Sequence, residues 1–392
     1  MNNKTHRGLL PNGLGDTLPP EAEFEAQITE TLMASFTKYG YERVKPPLIE
    51  FEDVLLSGSG EKMAKQTFRM MDPISQRMLG VRADMTLQIA RIASTRLADI
   101  SRPIRLSYAG QVLRVKGSAL RPKRQFGQIG IEVIGTLSPQ ADAEIILVSA
   151  QALTFLGITD LSIDLCLPTL IPAICKSLKI TSPQIIDRLS VALDHKDIPA
   201  IEIIEKEILT DSSKIFSTLL RAVGPVDKAL NILKEVILPE NAINELNKLS
   251  DIICCLKDRA PNLTITIDPV ETRGYKYHTG VTFTFFALNV RGELGRGGRY
   301  LVDDVNKNKM PEPATGASLY LDTILLALPT PKKQDRVLVS SSNPEIAKQL
   351  REEGWITVED FDERDLNDQA HHKKSGCTHV WNGNKVVPIA NS

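Results

Sequence analysis

Apolar residues along the chain alternate between two spacings. From 17 to 39, Ile28, Leu32 and Phe36 recur every four residues and predict an amphipathic helix, with Thr17 as N-cap ahead of Pro19 and Pro20 and Gly40 closing the end. "ERVKPPLIEF" is then extended, because Pro46 and Pro47 exclude helix. "QTFRMMDPISQRMLGVRAD" reads as a hairpin turning at "DPIS". Helical period returns over 85–97, with Ile89, Ile92 and Ala93 on one face. Two strands follow, "PIRLSYAGQVLRV" and "FGQIGIEVIG", joined by a basic loop, then a helix over 139–156 and the strand "LSIDLCL". Hairpins and neighbouring strands, rather than strand–helix–strand units, predict an α+β protein with an antiparallel sheet flanked by helices.

From 169 to 260 the texture changes to long helical periods rich in Ile, Leu and Lys, which predicts a helical insertion. Strands resume at "LTITIDP" and "GVTFTFFALN", followed by "RGELGRGGRY" and a helix over 316–328. "PTPKKQD" reads as a linker to a small α/β module. The expected organisation is a core of 1–168 and 261–330, an insertion of 169–260 and a C-terminal module of 331–392.

Composition narrows the function without naming it. A chain of 392 residues fits two domains, and 42% hydrophobic with 24% charged residues is ordinary for a globular protein. A net charge of −1 gives no global field toward nucleic acid or an anionic membrane. No run approaches the roughly 18 apolar residues of a membrane span. "MNNKTHRGLLPNGLGD" lacks a signal-peptide pattern, so a cytoplasmic protein without membrane contact is expected. Five cysteines without a CxxC pair and six histidines without HxxxH spacing argue against disulfide or metal chemistry, and no cofactor is expected.

The stretch "RGYKYHTGVTFTFF" has the residues of a small-molecule pocket wall. It is one of four segments that resemble one family in order and spacing. "RADMTLQIARIAS" is similar to the "RPDMT" segment of histidyl-tRNA synthetases, and "AGQVLRVKGSALRPKRQFGQIGIEVIG" to their second signature motif. "RGYKYHTGVTF" resembles their histidine-recognition segment, and "GRGGRY" the Gly-rich strand after it. The resemblance covers about residues 8–330. It implies the class II aminoacyl-tRNA synthetase fold, a six- or seven-stranded antiparallel sheet that dimerises. The family also includes the regulatory subunits of ATP phosphoribosyltransferase, which pair with a short catalytic subunit in the first step of histidine biosynthesis.

Departures from the synthetase pattern separate these two branches. The second motif's arginine is normally followed, two residues later, by a glutamate that reads adenine; here Arg114 is followed by Val115 and Lys116. The third motif normally ends in "GLER", whose arginine stacks on adenine or meets phosphate. Here "GASLYLDTI" puts Asp322 at the glutamate and Thr323 at the arginine, and a threonine supplies no planar, permanent cation. Leu301 stands where an aspartate usually follows "GGRY", and the C-terminal module is well short of the anticodon-binding domain.

The histidine side keeps more of the pattern. The resemblance implies that Asp84 and Thr86 meet the α-amino group of L-histidine with help from Gln128, and that Glu132 and Tyr277 face its imidazole. Arg114 would pair with the α-carboxylate. Arg273 matches an arginine that contacts the reacting carboxyl in synthetases, and His278 replaces the family's usual second tyrosine.

Each residue also has a plainer reading. Asp84 and Thr86 suit the start of a helix, Glu132 between Ile131 and Val133 suits a solvent-facing strand position, and "GRGGRY" suits a bulge beside a passing backbone. The run Arg114, Lys116, Arg121, Lys123, Arg124 reads equally as a solvated loop and as a contact for an anion. The expectation is a non-catalytic regulatory subunit that needs a short ATP phosphoribosyltransferase catalytic subunit as partner, pairs with itself and does not take tRNA. The alternative is a divergent, active histidyl-tRNA synthetase.

Overall fold

The computed structural model describes residues 9–56, 63–208, 214–271, 278–303, 310–361, 372 and 374–389. The chain forms two compact units, Met1–Leu18 with Ala22–Pro329 and Thr330–Ser392 with Pro19–Glu21.

In the larger unit, α1 (Glu21–Thr37) starts four residues after Thr17, because the chain takes up helical period only beyond the proline pair. It buries Ile28, Leu32, Met33 and Phe36, each contributing about 1.5–3 kcal/mol of apolar burial. Gly40, at a positive φ of 80°, ends it as the C-cap logic expects, and Tyr41 N–H returns to the Phe36 carbonyl. After β1 (Glu42–Arg43), the strands β2 (Ile49–Phe51), β3 (Arg69–Met71) and β4 (Met78–Val81) form a small antiparallel sheet, with α2 (Glu52–Leu55) after β2. The β3–β4 turn is held by Asp72, which accepts from the Ser75 hydroxyl at 2.6 Å and from the Ile74 and Ser75 N–H groups.

The helix α3 (Thr86–Thr95) leads to the long strands β5 (Ile104–Leu113) and β6 (Gln125–Ile134), then α4 (Pro139–Phe155) and β7 (Leu161–Cys166). Ser138 caps α4 through the Gln140 N–H, with Pro139 at the first helical position. Six helices follow: α5 (Leu170–Ser177), α6 (Pro183–Asp194), α7 (Ile198–Ile208), α8 (Ile215–Arg221), α9 (Val226–Glu235) and α10 (Glu240–Arg259), with β8 (Gly224–Pro225) between α8 and α9. The unit closes with β9 (Thr264–Asp268), β10 (Thr282–Ala287), β11 (Gly295–Val302), β12 (Glu312–Tyr320) and α11 (Leu321–Ala327).

The main sheet runs β1-β5-β6-β12-β11-β10-β7-β9-β8. From β5 to β7 every pairing is antiparallel, as the class II synthetase-like reading requires. The joins β1–β5 and β7–β9 are parallel. The second has a plain cause: parallel neighbours need a crossover of a dozen residues or more, and the α5–α10 segment is that crossover. Its Ile201, Phe216, Leu249 and Ile252 share one apolar core with Ile163 and Leu165 of the sheet.

Strand β6 is buried on both faces. Ile129, Ile131 and Val133 enter the core shared with α1 and α4, while Phe126 and Ile134 enter a second core with Ile89 and Ala93 of α3. Side chains alternate along a strand, so Gln128 and Glu132 share the α3 face. The plainer reading of Glu132 as solvent-facing is therefore overturned; it is 1% exposed.

The smaller unit contains β13 (Arg336–Ser340), α12 (Pro344–Glu352), β14 (Ile356–Asp360), β15 (His379–Trp381) and β16 (Val386–Pro388). Its sheet runs β14-β13-β15-β16, parallel except at β16, around Val337, Val339, Ala347 and Leu350.

Candidate functional site

Two cavities lie beside the central strands. The smaller has a volume of about 30 Å3, one water's share of the liquid. Its lining includes Asp84, Thr86, Glu132, Ser318 and His278, with Arg296 and Tyr300. Register explains the assembly. Tyr108 of β5, Gly130 of β6 and Ser318 of β12 form one row across the sheet, and Glu132 pairs with Gly316 in the next.

These rows carry a continuous hydrogen-bond network. Tyr108 Oη donates to Glu132 Oε1 at 3.1 Å, and Tyr300 Oη donates to Oε2 at 3.0 Å. Thr86 Oγ1 lies 3.2 Å and Ser318 Oγ 3.1 Å from Tyr108 Oη. Gln128 Nε2 donates to Ser318 Oγ at 2.7 Å, and its Oε1 accepts the Met85 N–H at 2.9 Å. Asp84 Oδ1 accepts the N–H of Thr86 at 2.9 Å, but the N-cap position of α3 is Met85 and has no side-chain cap bond, so Asp84 and Thr86 do not cap the helix as the plainer reading expected.

Glycines make room for this network. A Cβ on Gly316 would stand 1.6 Å from Glu132 Oε2, and one on Gly130 would stand 2.3 Å from Tyr108 Oη. The Gly-rich "GRGGRY" is not a bulge: it lies in β11, paired residue for residue with β12. There a Cβ on Gly297 would meet the Gly316 carbonyl at 2.0 Å, which is why that position lacks one.

Burial governs the electrostatics. Desolvation is the largest cause pushing the Glu132 carboxyl up to about 8, reinforced by the negative charge of Asp84 and opposed by the tyrosine hydrogen bonds. At neutral pH this carboxyl is mostly protonated, able both to donate and to accept. Burial, Glu132 and Asp84 likewise push the Tyr108 phenol well above its usual value. Arg299 lies outside this network: it pairs with buried Asp142 at 2.7 Å and donates to the carbonyls of Thr136 and Ser138, tying β11 to the start of α4.

Of the residues expected at the histidine site, Asp84, Thr86, Glu132 and His278 line the small cavity, and Gln128 braces Ser318 at its edge. Arg114 is not in that lining. Its Nε reaches the Ala83 carbonyl at 3.3 Å and its guanidinium lies 5.0 Å from the Phe126 ring. Arg273 and Tyr277 lie outside the described residues. Tyr108 and Ser318 were not anticipated. Their signal was present in the period-two spacing that places Tyr108 two residues from Leu106, and Ser318 two from Gly316, on one face.

The larger cavity, about 820 Å3, is walled by the segment Asn12–Thr17, the loop residues Lys116, Ser118, Lys123 and Arg124, and Phe126 and Asp322. The basic loop is not simply solvated. Arg124 donates to the carbonyls of Arg114 and Asn12. Arg121 is buried: its Nε lies 3.1 Å from Asp322 Oδ2, and its Nη2 lies 3.3 Å from Thr323 Oγ1.

Comparison with known proteins fits this geometry. The histidyl-tRNA synthetase family model matches residues 13–324. The ATP phosphoribosyltransferase regulatory subunit of Paramagnetospirillum magneticum is 47% identical over 99% of this chain and 100% of its own. That of Rhodospirillum centenum is 48% identical over 97% of this chain and 96% of its own. The chain belongs to the ATP phosphoribosyltransferase regulatory subunit family.

Solved structures show the same fold in both branches of the wider family. A Bacillus halodurans protein described as an ATP phosphoribosyltransferase regulatory subunit/histidyl-tRNA synthetase superposes with a TM-score of 0.80 at 24% identity, covering 96% of this chain and 98% of that one. The histidyl-tRNA synthetase of Nostoc sp. gives 0.77 at 21% identity, covering 95% and 90%. Membership supports a regulatory role in the ATP phosphoribosyltransferase complex. Among the described residues, no helix is long and apolar enough to cross a membrane, and no group of three or more His, Cys, Asp or Glu could hold a metal ion.

Proposed function

We propose that this chain is the regulatory subunit of an ATP phosphoribosyltransferase, without catalysis of its own. It assembles with a short catalytic subunit, is needed for that subunit's activity, and binds L-histidine in the small cavity as the feedback inhibitor. Transfer of the phosphoribosyl group to ATP takes place on the partner. The observation that carries this reading is the contrast between the two cavities. Asp84, Thr86 and Glu132 keep acceptors suited to an ammonium and an imidazole, while Lys116 and Thr323 replace the acid and the arginine that the resemblance associates with ATP.

The cavity as it stands holds about 30 Å3, so histidine enters only as the lining opens. That requirement gives feedback a physical basis: a ligand shifts an equilibrium only as far as it favours one state over another. Histidine would stabilise the widened state, and the assembly would be inhibited in that state. Self-pairing and the absence of a tRNA role belong to the same proposal. Sedimentation of the isolated chain and a tRNA-binding titration address them.

The decisive experiment combines the purified chain with a short phosphoribosyltransferase catalytic subunit and measures turnover with and without histidine. Activity should rise on mixing and fall with histidine. Full turnover by the catalytic chain alone, unchanged by this protein, would overturn the proposal. Histidine-dependent exchange of pyrophosphate into ATP by the isolated chain would instead establish the divergent synthetase.

A further inference from the structure

The helical insertion carries apolar side chains that the core does not use. Helix α6 buries Leu189, Ala192 and Leu193, and α7 buries Ile201 and Ile204, each at the spacing of a single inward stripe. Val191 and Ile203 lie off those stripes, 57% and 62% exposed, one on each helix. They border an open groove of about 460 Å3 between α6 and α7, with Ala192 and Ile204 deeper in its lining. The charges of the groove do not balance. Arg188 is paired with Glu207 at 2.9 Å, which leaves the exposed Asp187 and Asp197 as the uncompensated charges of the lining. A groove of this kind fits an amphipathic helix, apolar along one face with lysine or arginine beside it.

The groove is also anchored to the main sheet. Lys196, in the α6–α7 turn at a positive φ of 56°, places its ammonium 2.6 Å from Asp268 Oδ2 at the end of β9. Asp268 pairs with Cys166, and the same row of the sheet continues through Thr282, Gly298 and Gly316 to Glu132. The turn that supplies His195 and Asp197 to the groove is therefore fixed to the row that ends at the small cavity.

We propose that the α6–α7 groove is the docking surface for the short catalytic subunit, which seats an amphipathic helix with apolar side chains between Val191 and Ile203 and a lysine or arginine beside Asp187. Such docking presupposes the regulatory role proposed for this chain and adds where the partner sits. Two observations select this occupant. The uncompensated acids repel the phosphates of RNA and attract a basic flank. The Lys196–Asp268 pair gives the strand row of the small cavity a direct contact with the groove, which suits a partner that must respond to what that cavity holds.

The test is calorimetric titration of the full chain with a purified short catalytic subunit, beside turnover of the mixture. Ile203→Glu and Val191→Glu should each weaken assembly on the order of thirtyfold, the scale of a central contact residue, and activation should fall in parallel. Asp187→Lys leaves the apolar lining intact and should weaken assembly about tenfold at low salt and less at high salt. Ile237→Glu, at a position 91% exposed elsewhere in the insertion, should assemble like wild type. Circular dichroism confirms the fold of each variant. If wild type assembles with and activates the catalytic subunit while all three groove variants do so equally well, the groove is not the contact and the regulatory role stands. Equal losses in Ile237→Glu and the groove variants would likewise overturn the proposal. Wild type that neither binds nor activates the catalytic subunit would sink the regulatory role and the groove together. Loss of tRNA binding in Ile203→Glu with assembly intact would assign the groove to RNA instead.

Discussion

The two cavities share only strand β6, which gives Glu132 to the smaller and Gln125, Phe126 and Gly127 to the larger, and their surroundings differ in kind. In the smaller, every feature converges on keeping polar groups satisfied around an opening. Two tyrosines serve one carboxyl, and the glycines at 130 and 316 leave space for them. Behind the wall of the larger, the buried Arg121 packs against Phe126 and Tyr320 and ties itself to Asp322 and Thr323. The difference teaches that one strand can border two cavities of different chemistry, because the strand sets positions while individual side chains set each lining.

The comparison breaks most sharply at Asp84. If the small cavity takes histidine, Asp84→Ala leaves the ligand's ammonium poorly paired and should cost about 2–5 kcal/mol of binding. The same change removes the hydrogen bond that Asp84 accepts from the Thr86 N–H, with a stability loss of about 0.5–1.5 kcal/mol. Titration with histidine beside a thermal melt separates the two. A variant that melts early but binds histidine at full affinity would show that Asp84 acts only at the helix.

Gly316→Ala asks how rigid the network is. Its new methyl would collide with the Glu132 carboxyl, which cannot move without giving up its tyrosines, so unfolding stability should fall by about 1–3 kcal/mol. Urea denaturation measures this. A loss within a few tenths would mean that the carboxyl has another resting place.

Glu132 also makes the smaller cavity sensitive to pH in a way that sharpens the contrast. Its native value of about 8 lies above the ordinary 4.5, so between these values the native state holds a proton that the unfolded state has released. Its contribution is therefore complete below about 4.5 and is lost as pH rises through about 8, with a slope of up to about 1.4 kcal/mol per pH unit. Glu132→Gln, which stays neutral, should flatten that part of the stability–pH profile. An unchanged profile would show that the carboxyl is already ionised in the native protein.

Tyr300→Phe should be mildest. It removes one hydroxyl and keeps the ring, for about 0.5–1.5 kcal/mol in a chemical melt. It should also raise the Glu132 carboxyl further, because the Tyr300 hydrogen bond is the leading cause holding it down. The denaturation profile of this variant should therefore begin its decline at the same pH and end it at a higher one.

Much of this architecture was legible in local pattern. The two spacings of apolar residues marked α1, α3, the β3–β4 hairpin and the β5–β6 pair, since helical and strand periods follow from backbone geometry alone. The same economy made Asp84, Thr86, Glu132 and His278 recognisable as a set: their segments keep a family's order and spacing, and the structure brings all four to one cavity.

Other features depend on contacts between residues far apart in the chain, and no local pattern contains them. The burial of Glu132 between two apolar neighbours follows from α3 covering that face of β6. The parallel return of β9 beside β7 follows from where the α5–α10 crossover ends. Arg121 looked like one more cation in a basic loop, because its meaning lies 201 residues away at Asp322. Side-chain type and spacing record which chemistry a segment can perform. Which faces become buried, and which charge finds which partner, is settled only when the strands are laid side by side.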